Sequence, residues 1–552
     1  MPESLTEGKS KKFGFSIENL KGNWYVPFCS CAFLLLTIHY TAVEFISAAA
    51  AVIIITAAVS FTEPLWPVVR SRKWLWKCFC FLSSAGVLAG DSNHIYELIW
   101  KYILRGDLAG ILLLILVLLS IVAAVVFLYV CISVFWNKLI SIFRANDTFS
   151  DVNRTEWIIY ASLVLLTFAY VTVILLSGSA FYSSKNLVDV VYTGDSQRLF
   201  YGNVFLNIGH PENDLRQPLF AVFSAPFVSI TYLIGRLLSV PSAVQAIMLE
   251  FTQVILLFVS VFILTKIMKL DRVKRICFIL LFMSTHTYLL FSVMIEQYVV
   301  AFFWLVLCLY CLLSGQDGRF ALMGAGGTLL TSLALLPVSA LRLGKERIKE
   351  RIVRVICCGL EFVLLMIAFG KLTIFINMFK DVDVLISFTG SKLTIFDKTK
   401  QFLEYIKNFF VAPNAGVCTV NVEDKQYISW QQDPVESINY IGIIILIFAL
   451  ISLVVNRDKI SSRIAGGWIM LSMIVLIVVG WGTRENGLIL YELYFGWPYL
   501  VLIYQLIEKI SDKFDLKKIF PVICVGATVL LAVVNIPGII DLIDYMSSYY
   551  PA

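Results

Sequence analysis

The polar segment between residues 189 and 219 concentrates the side chains best suited to chemistry. It carries Asp195 and Arg198 in its first half and His210, Asp214 and Arg216 in its second half, just ahead of an apolar run. A carboxylate held at the boundary between lipid and water can act as a general base on an acceptor hydroxyl. Guanidinium groups beside it can hold a phosphate through paired hydrogen bonds. These residue types indicate transfer of a phosphate-linked group, and an ordinary solvated loop of the same composition is the alternative.

Further candidates lie in short polar turns later in the chain. Glu296 stands at the outer end of a predicted helix hairpin, and Arg484 and Glu485 occupy the turn at 482–487. Tyr491 opens an aromatic run that ends in Trp-Pro-Tyr at 497–499. The alternatives are that the charges are helix-end residues solvated at the membrane surface and that the aromatic run is an interfacial belt.

The composition of the chain indicates a membrane protein, so membrane helices must position these residues. Of 552 residues, 59% are hydrophobic and 15% are charged, the mean hydropathy is +0.84, and a soluble domain has about 45–50% apolar residues. The net charge of +6 is spread over short clusters, which marks membrane orientation rather than nucleic-acid binding. Nearly all 12 cysteines sit inside apolar runs, which argues against a zinc or disulfide framework. The sequence therefore predicts one all-α polytopic membrane protein.

Apolar runs of about 17–25 residues predict the membrane spans. The clear candidates are 43–61, 109–135, 157–177, 243–268, 276–294, 298–314, 355–376, 437–455, 464–482, 488–507 and 519–537, and weaker ones are 25–41 and 75–90. Two segments are ambiguous. Leu219–Leu238 is broken by Pro226, and 320–344 has glycines early and a proline late, so it could be one helix or two.

Basic clusters decide the orientation, because short cytoplasmic loops are rich in Lys and Arg. All of the clusters can face the cytoplasm if 219–238 does not cross fully and if 320–344 forms a short hairpin, down and back. With both conditions the chain crosses about fifteen times, residues 1–23 form a cytoplasmic tail, and the C-terminus lies outside. Residues 24–154 then form N-terminal transmembrane helices, and 155–552 form a core with external loops at 178–242 and 377–439. Within the second loop, Lys398–Phe410 is predicted to be an amphipathic lid helix.

The order of these motifs resembles the GT-C superfamily of membrane glycosyltransferases. The resemblance covers roughly 157–537 and rests on an acidic residue early in the first external loop, Asp195, and on a Pro-Leu-aromatic stretch that opens an amphipathic helix. The superfamily's frequent His-Pro-Pro-Leu stands here as Arg-Gln-Pro-Leu at 216–219. Glu296, the short 320–344 segment and the turn at 482–487 with its aromatic helix occupy matching places.

The resemblance implies a hexosyl- or pentosyltransferase that uses a polyprenyl-phosphate sugar. It implies that Asp195 is the catalytic base, with Asp189 as a weaker candidate, and that Glu296 positions the sugar or a divalent cation. Candidate donor-phosphate and substrate-binding residues are Arg198, His210, Asp214, Arg216, Arg484, Glu485 and Tyr491. No cofactor is required, and because no close carboxylate pair is evident along the sequence, a role for Mg or Mn stays open.

The implied partners are the lipid bilayer, the polyprenyl-phosphate donor, and a glycan, lipid or protein acceptor at the non-cytoplasmic face of a plasma membrane, in a bacterial cell. No nucleic acid is expected. The rival functions are a transporter or lipid flippase that works through the intramembrane Glu250, His286 and Glu361, an envelope polysaccharide polymerase or ligase, and a non-catalytic scaffold. Repeat symmetry would favour a transporter, and the sequence has no visible repeat.

Overall fold

A computed structural model describes most of the chain, at residues 16–37, 42–70, 73–90, 92–183, 189–208, 216–316, 318–335, 348–371, 374, 383, 386, 388–422, 425–485 and 487–552. This part of the protein is mainly α-helical, as the apolar runs predict, with one two-stranded sheet. Residues 1–15 of the predicted cytoplasmic tail, 1–23, lie outside the described residues.

The N-terminal region is built from seven helices in the described residues. They are α1 (Ile17–Asn23), α2 (Tyr25–Thr37), α3 (Ala42–Ser60), α4 (Leu65–Arg70), α5 (Trp74–Gly90), α6 (Ser92–Ile103) and α7 (Leu108–Ala145). Helix α7 has 38 residues and is about 57 Å long at 1.5 Å per residue, well beyond a hydrocarbon core of about 30 Å. It therefore extends past the predicted span 109–135 on the side of its basic end, Arg144.

The middle of the chain surrounds the loop that is predicted to be the first external one. Its helices are α8 (Arg154–Ser177), α9 (Ser196–Tyr201), α10 (Phe220–Leu237), α11 (Ser242–Ile267), α12 (Arg272–Met283), α13 (His286–Phe291), α14 (Tyr298–Ser314), α15 (Arg319–Thr328) and α16 (Ile348–Ala368). Helices α8 and α11 run antiparallel, because Phe168 stacks on Phe251 with ring centroids 4.0 Å apart while Tyr160 packs on Phe262. Helix α14 is buried on nearly every side, as is typical of a helix at the centre of a bundle.

The last third contains the predicted second external loop and the C-terminal helices. Its elements are α17 (Ile395–Asn408), β1 (Ala415–Val422), β2 (Lys425–Gln432), α18 (Tyr440–Val455), α19 (Ile460–Met473), α20 (Glu492–Lys513) and α21 (Phe520–Tyr549). A π-helical turn, Ile474–Val479, continues α19, and 3₁₀ turns at Thr483–Glu485 and Gly487–Tyr491 lead into α20. Helix α17 confirms the predicted amphipathic helix: Thr394 and Asp397 form its capping box.

Seven helices in the described residues are long and apolar enough to cross a membrane, by length and composition. They are Leu108–Ala145, Arg154–Ser177, Phe220–Leu237, Ser242–Ile267, Ile460–Val479, Gly487–Lys513 and Phe520–Tyr549, and shorter apolar helices accompany them. The protein is therefore a helical membrane protein. The total of about fifteen crossings, and the partial crossing of 219–238, stay predictions.

The predicted span 276–294 is not one continuous helix, because the chain breaks there into α12 and α13. Thr285 caps α13 by accepting a hydrogen bond from the Tyr288 N–H at 3.3 Å. The Asn535 amide on α21 donates to the Ser284 carbonyl at 3.0 Å. A hydroxyl cap and a distant amide thus satisfy the backbone groups that the break exposes.

The short hairpin predicted at 320–344 is partly visible. Helix α15 ends at Thr328, Leu329 is extended, and a 3₁₀ turn follows at Leu330–Leu335. Gly324 lies directly against the Trp304 ring of α14, where a Cβ would clash. The returning half, 336–347, lies outside the described residues.

The hairpin of β1 and β2 is not among the sequence predictions, and it joins the two loops that are predicted to be external. Its strands pair from Ala415 with Gln432 to Val422 with Lys425. On its other edge, the Trp430 N–H donates to the Val190 carbonyl at 2.9 Å, and the Tyr192 N–H donates to the Trp430 carbonyl at 2.8 Å. The sheet therefore holds the stretch that leads to Asp195.

A buried ion cluster ties α8 to the start of α12. The Arg275 guanidinium donates to Glu156 Oε1 at 2.7 Å and to Asp151 Oδ2 at 2.9 Å, and the Tyr160 hydroxyl donates to Glu156 at 2.8 Å. The side chains of Arg275 and Glu156 are only 2% and 1% exposed. Removing one partner of such a pair leaves an uncompensated buried charge.

We expect Arg275→Met to lower the free energy of unfolding by about 3–5 kcal/mol, the cost of breaking a buried pair. Unfolding of the purified protein in mixed detergent micelles measures this. The control is Arg319→Met, because the Arg319–Glu361 pair is 55% and 44% exposed and an exposed pair contributes about 1 kcal/mol or less. Equal losses in the two variants would contradict the expectation.

Reporter fusions test the orientation that the basic clusters predict. Fusions after Gly209 and Val422 are expected to read as external, and one after Lys349 as cytoplasmic, because positive loops stay inside. A cytoplasmic signal after Gly209 would remove the basis for an external site.

Candidate functional site

The loop before Asp195 is a tight turn in an unusual backbone conformation. Asp189, Tyr192 and Thr193 have positive φ angles of 55°, 54° and 61°, which are uncommon for residues with side chains and are maintained only where the surroundings enforce them. The bonds to Trp430 supply that support. Gly194 packs so closely on Met294 that a Cβ there would clash with its Cε, and Glu296 Oε1 lies nearby. The turn thus packs the loop before Asp195 against the Met294–Glu296 turn.

Asp195 and Glu296 meet at this contact. The Asp195 backbone N–H donates to Glu296 Oε1 at 2.8 Å, although the two residues are 101 positions apart. Asp195 precedes α9, and its side chain does not cap that helix. Glu296 is 3% exposed in the connection between α13 and α14. The structure therefore pairs the two acidic residues that the sequence singled out.

Burial and, next, the neighbouring Asp195 charge raise the pKa of Glu296 to about 8, while backbone hydrogen bonds and the Arg216 charge act against the shift. Desolvation disfavours the charged carboxylate, and a second negative charge near it acts in the same direction. Glu296 is therefore mainly protonated at neutral pH. A buried acid with a raised pKa, near a second carboxyl group whose charge acts on it, is an arrangement suited to dividing acid and base roles.

Arg216 links the Asp195–Glu296 contact to an apolar cavity. The cavity has a volume of about 360 Å³ and is lined by Arg216, Leu329, Leu330, Thr331, Val475, Val479, Trp481, Tyr491 and Phe495. The Arg216 carbonyl accepts from the Leu330 N–H at 2.8 Å, and its guanidinium lies 5.4 Å from the centre of the Phe388 ring. Arg216 is the charged residue among these lining residues, so the cavity suits an apolar chain that carries an anionic group.

Tyr491 forms part of the same wall. Its hydroxyl accepts a hydrogen bond from Trp481 Nε1 at 2.7 Å. Its ring packs edge-on against Tyr298 with centroids 5.3 Å apart, and Tyr298 follows Glu296 closely. Tyr491 and Phe495 of the late aromatic segment line the cavity, whereas Tyr494 and Tyr499 are not among its lining residues.

Of the other predicted donor- and substrate-binding residues, two arginines are exposed, and the rest lie wholly or partly outside the described part of the chain. Arg198 on α9 and Arg484 in its 3₁₀ turn are exposed. His210 and Asp214 lie outside the described residues, as does the side chain of Glu485. The Asp189 carbonyl accepts bonds from Ser429 and from Gln431, so this residue helps to fasten the loop to the hairpin.

The intramembrane residues of the rival transporter hypothesis have local partners. Glu250 accepts a bond from Gln253 at 2.5 Å. Glu361 pairs with Arg319 at 3.2 Å, and His286 Nδ1 lies 3.1 Å from the Asn408 carbonyl. Each of these groups makes a contact within the fold, and Glu250 Oε2 and Gln253 Oε1 have no hydrogen-bond partner in the described residues.

Sequence reasoning missed several walls of the cavity, among them Leu329, Leu330 and Trp481. Leucines in an apolar segment carry no signal of their own. The Gly-Trp-Gly segment at 480–482 does carry a sequence signal, because glycines around an aromatic residue indicate a sharp turn. In the structure Gly480 and Gly482 have φ angles of 76° and 75°.

The carboxylate oxygens of this site are relevant to whether it binds a metal ion. Carboxylate oxygens, as in Asp195 and Glu296, are the ligands that Mg²⁺ and Mn²⁺ prefer. Within the described residues, however, no group of three or more His, Cys, Asp or Glu side chains is placed to hold a metal ion.

Comparison with known protein families, with curated proteins and with solved structures gives no match for this chain.

Proposed function

We propose that the protein is a GT-C-like glycosyltransferase that moves a sugar from a polyprenyl-phosphate donor to an acceptor hydroxyl at the non-cytoplasmic membrane face. The observation that carries the proposal is the joining of the Asp195–Glu296 pair, through Arg216, to an apolar cavity. A polyprenyl-phosphate sugar has an apolar chain, an anionic phosphate and a polar sugar, in that order. The cavity, Arg216 and the carboxyl pair follow the same order.

In the proposed reaction, Asp195 accepts the proton of the acceptor hydroxyl as its oxygen forms a bond to the anomeric carbon. The bond between that carbon and the phosphate oxygen breaks, and polyprenyl phosphate leaves with the bonding electrons. Arg216 stabilises the negative charge that develops on the phosphate. Protonated Glu296 donates a hydrogen bond to the sugar or the phosphate, which a second charged carboxylate could not do.

A transfer assay tests this function. The purified protein in lipid nanodiscs is offered a panel of polyprenyl-phosphate hexoses and pentoses, and mass spectrometry follows release of polyprenyl phosphate with and without candidate acceptors. We expect release with at least one donor and its loss in Asp195→Asn. Mass spectrometry of lipid-linked glycans in cells with and without the protein identifies the sugar. If donors cross the bilayer intact in proteoliposomes and no polyprenyl phosphate is released, the protein is a flippase instead.

The raised pKa of Glu296 predicts a pH limit on donor binding. Below pH about 8 the carboxyl is neutral and tolerates a phosphate beside it. Above that pH its charge repels the phosphate, so the dissociation constant of the donor is expected to rise by about tenfold per pH unit. Glu296→Gln is neutral at every pH and is expected to bind the donor with a flat profile. A wild-type profile that is flat from pH 7 to 10 would contradict this role.

A further inference from the structure

The half-buried ring of Phe388 packs against two residues of the apolar cavity wall. Its centre is 5.4 Å from the guanidinium carbon of Arg216 and 5.9 Å from the centre of the Trp481 ring, at an interplanar angle of 40°. Arg216 and Trp481 both line the cavity, whereas Phe388 is not among its lining residues. A side chain placed in this way acts on a bound molecule through the residues that it supports.

The backbone around Phe388 is fastened to the turn that carries Trp481. The Gly482 N–H donates to the Phe388 carbonyl at 3.0 Å. Two residues further on, Gly390 has a φ of 53°, and it lies so close to Thr483 that a Cβ there would clash with Thr483 Oγ1. A positive φ and such a close approach are both typical of glycine. The Phe388 ring is therefore held in place by contacts of its own backbone segment.

An aromatic ring can hold a guanidinium without occupying the groups that bind an anion. A cation within about 6 Å of a ring centre is attracted to the negative face of the ring. The ring carries no charge, and the hydrogen-bonding fork of an arginine can bind phosphate while the side chain stacks on an aromatic face. A carboxylate in the same place would neutralise the charge and accept the paired hydrogen bonds. The contact with Phe388 thus fixes the guanidinium and leaves its fork to other partners.

A guanidinium that is fixed in advance binds an anion more tightly, because a long side chain that is ordered only on binding loses rotamer freedom at the expense of affinity. The bond from the Leu330 N–H to the Arg216 carbonyl fixes the main chain and leaves the end of the side chain to contacts such as that with Phe388. We propose that Phe388 is a positioning residue, whose ring holds the Arg216 guanidinium where it meets the phosphate of the donor. This inference rests on the proposed function only through that phosphate.

Binding of dodecyl phosphate to the full-length protein in lipid nanodiscs, at neutral pH, tests the proposal. This probe has an apolar chain and a phosphate but no sugar, so its affinity is measured whether or not the protein transfers sugars. Phe388→Leu keeps an apolar side chain and removes the aromatic face, and it is expected to raise the dissociation constant by about three- to tenfold, on the order of one cation–π contact. Phe388→Tyr keeps the face and should bind the probe nearly as the wild type does.

A double-mutant cycle separates positioning from a general effect on the fold. In the Arg216→Ala background, Phe388→Leu has no guanidinium left to position, so it should change the dissociation constant by less than about twofold, within the usual error of additivity. An equal effect of Phe388→Leu with and without the guanidinium would overturn the proposal and leave the ring a purely structural role.

Phe396→Leu is the matched control. Phe396 stands eight positions later in the chain and also has a cation over its ring, the Lys400 ammonium at 4.9 Å. It is 57% exposed, and neither it nor Lys400 is among the residues that line the cavity. The affinity for dodecyl phosphate should therefore stay at the wild-type value. A loss as large as that in Phe388→Leu would contradict a specific role for Phe388.

The possible results distinguish this inference from the proposed function. If binding of dodecyl phosphate depends on Phe388 and Arg216 as expected but no polyprenyl-phosphate sugar is turned over, the positioning role holds and the transferase function fails. If sugar is transferred but Phe388→Leu binds the probe as the wild type does, the positioning role alone fails. Wild-type affinity in Arg216→Ala would overturn the positioning role as well, because no phosphate contact would then remain to be positioned.

Discussion

Asp195→Asn is expected to lower the rate of sugar transfer by about 10²–10⁴-fold, the usual effect of removing a general base. The substitution keeps the size and hydrogen-bonding reach of the side chain but removes the proton acceptor. The contact with Glu296 uses the backbone N–H of Asp195, and the side chain does not cap α9, so the local fold should survive. Release of polyprenyl phosphate by the purified variant, at a saturating donor concentration, measures the effect.

Asp189→Asn is the matched control for this experiment. Asparagine tolerates the positive φ of 55° at this position as well as aspartate does, and the bonds from Ser429 and Gln431 go to the Asp189 carbonyl. We expect transfer near the wild-type rate. If activity instead falls in Asp189→Asn and persists in Asp195→Asn, the base is Asp189.

Asp195→Asn carries a second expected result that does not depend on turnover. The Asp195 charge contributes to the raised pKa of Glu296, so its removal should lower that pKa from about 8. The pH at which donor binding begins to weaken should move down accordingly. An unchanged midpoint would show that the two carboxyl groups do not interact in solution.

The membrane class and most helix positions could be predicted from the sequence, because an apolar run of sufficient length has few alternatives to a helix. The break at Ser284–Thr285 could not, since one of its stabilising partners, Asn535, is 251 residues away. Strands β1 and β2 were missed because their residues alternate only weakly between polar and apolar, and their pairing with residues 190–192 is a tertiary contact.

The candidate site, like the fold, could be predicted from the sequence only in part. Asp195, Glu296, Arg216 and Tyr491 were singled out by type and order, and the structure brings them to one region. Arg198 and Arg484 were chosen by the same criteria, yet both are exposed. Sequence order cannot separate an arginine that lines a cavity from one that is exposed to water, because that choice depends on tertiary contacts such as those of Arg216 with Leu330 and Phe388.

Arg216→Ala is expected to weaken donor binding by about 10–100-fold, because a hydrogen bond to a charged phosphate contributes about 1.5–3 kcal/mol. Arg216 lines the apolar cavity and acts on Glu296, so it can meet the phosphate in the ground state as well as in the transition state. The dissociation constant of the donor should therefore rise more than the turnover rate falls. Equilibrium binding of a fluorescent polyprenyl-phosphate sugar in nanodiscs measures the first quantity.

Arg216→Lys and Arg198→Ala complete the series. Lysine keeps the charge but loses the planar fork that binds phosphate through two bonds, so Arg216→Lys should recover part of the lost affinity. Arg198 is exposed on α9, and its removal should change donor binding less than twofold, on the order of a surface substitution. Arg216→Ala also removes a charge that lowers the pKa of Glu296, so the pH midpoint of donor binding should move up, opposite to its shift in Asp195→Asn. Donor affinity that is unchanged in Arg216→Ala and reduced in Arg198→Ala would place the phosphate outside the cavity, on the exposed face of α9.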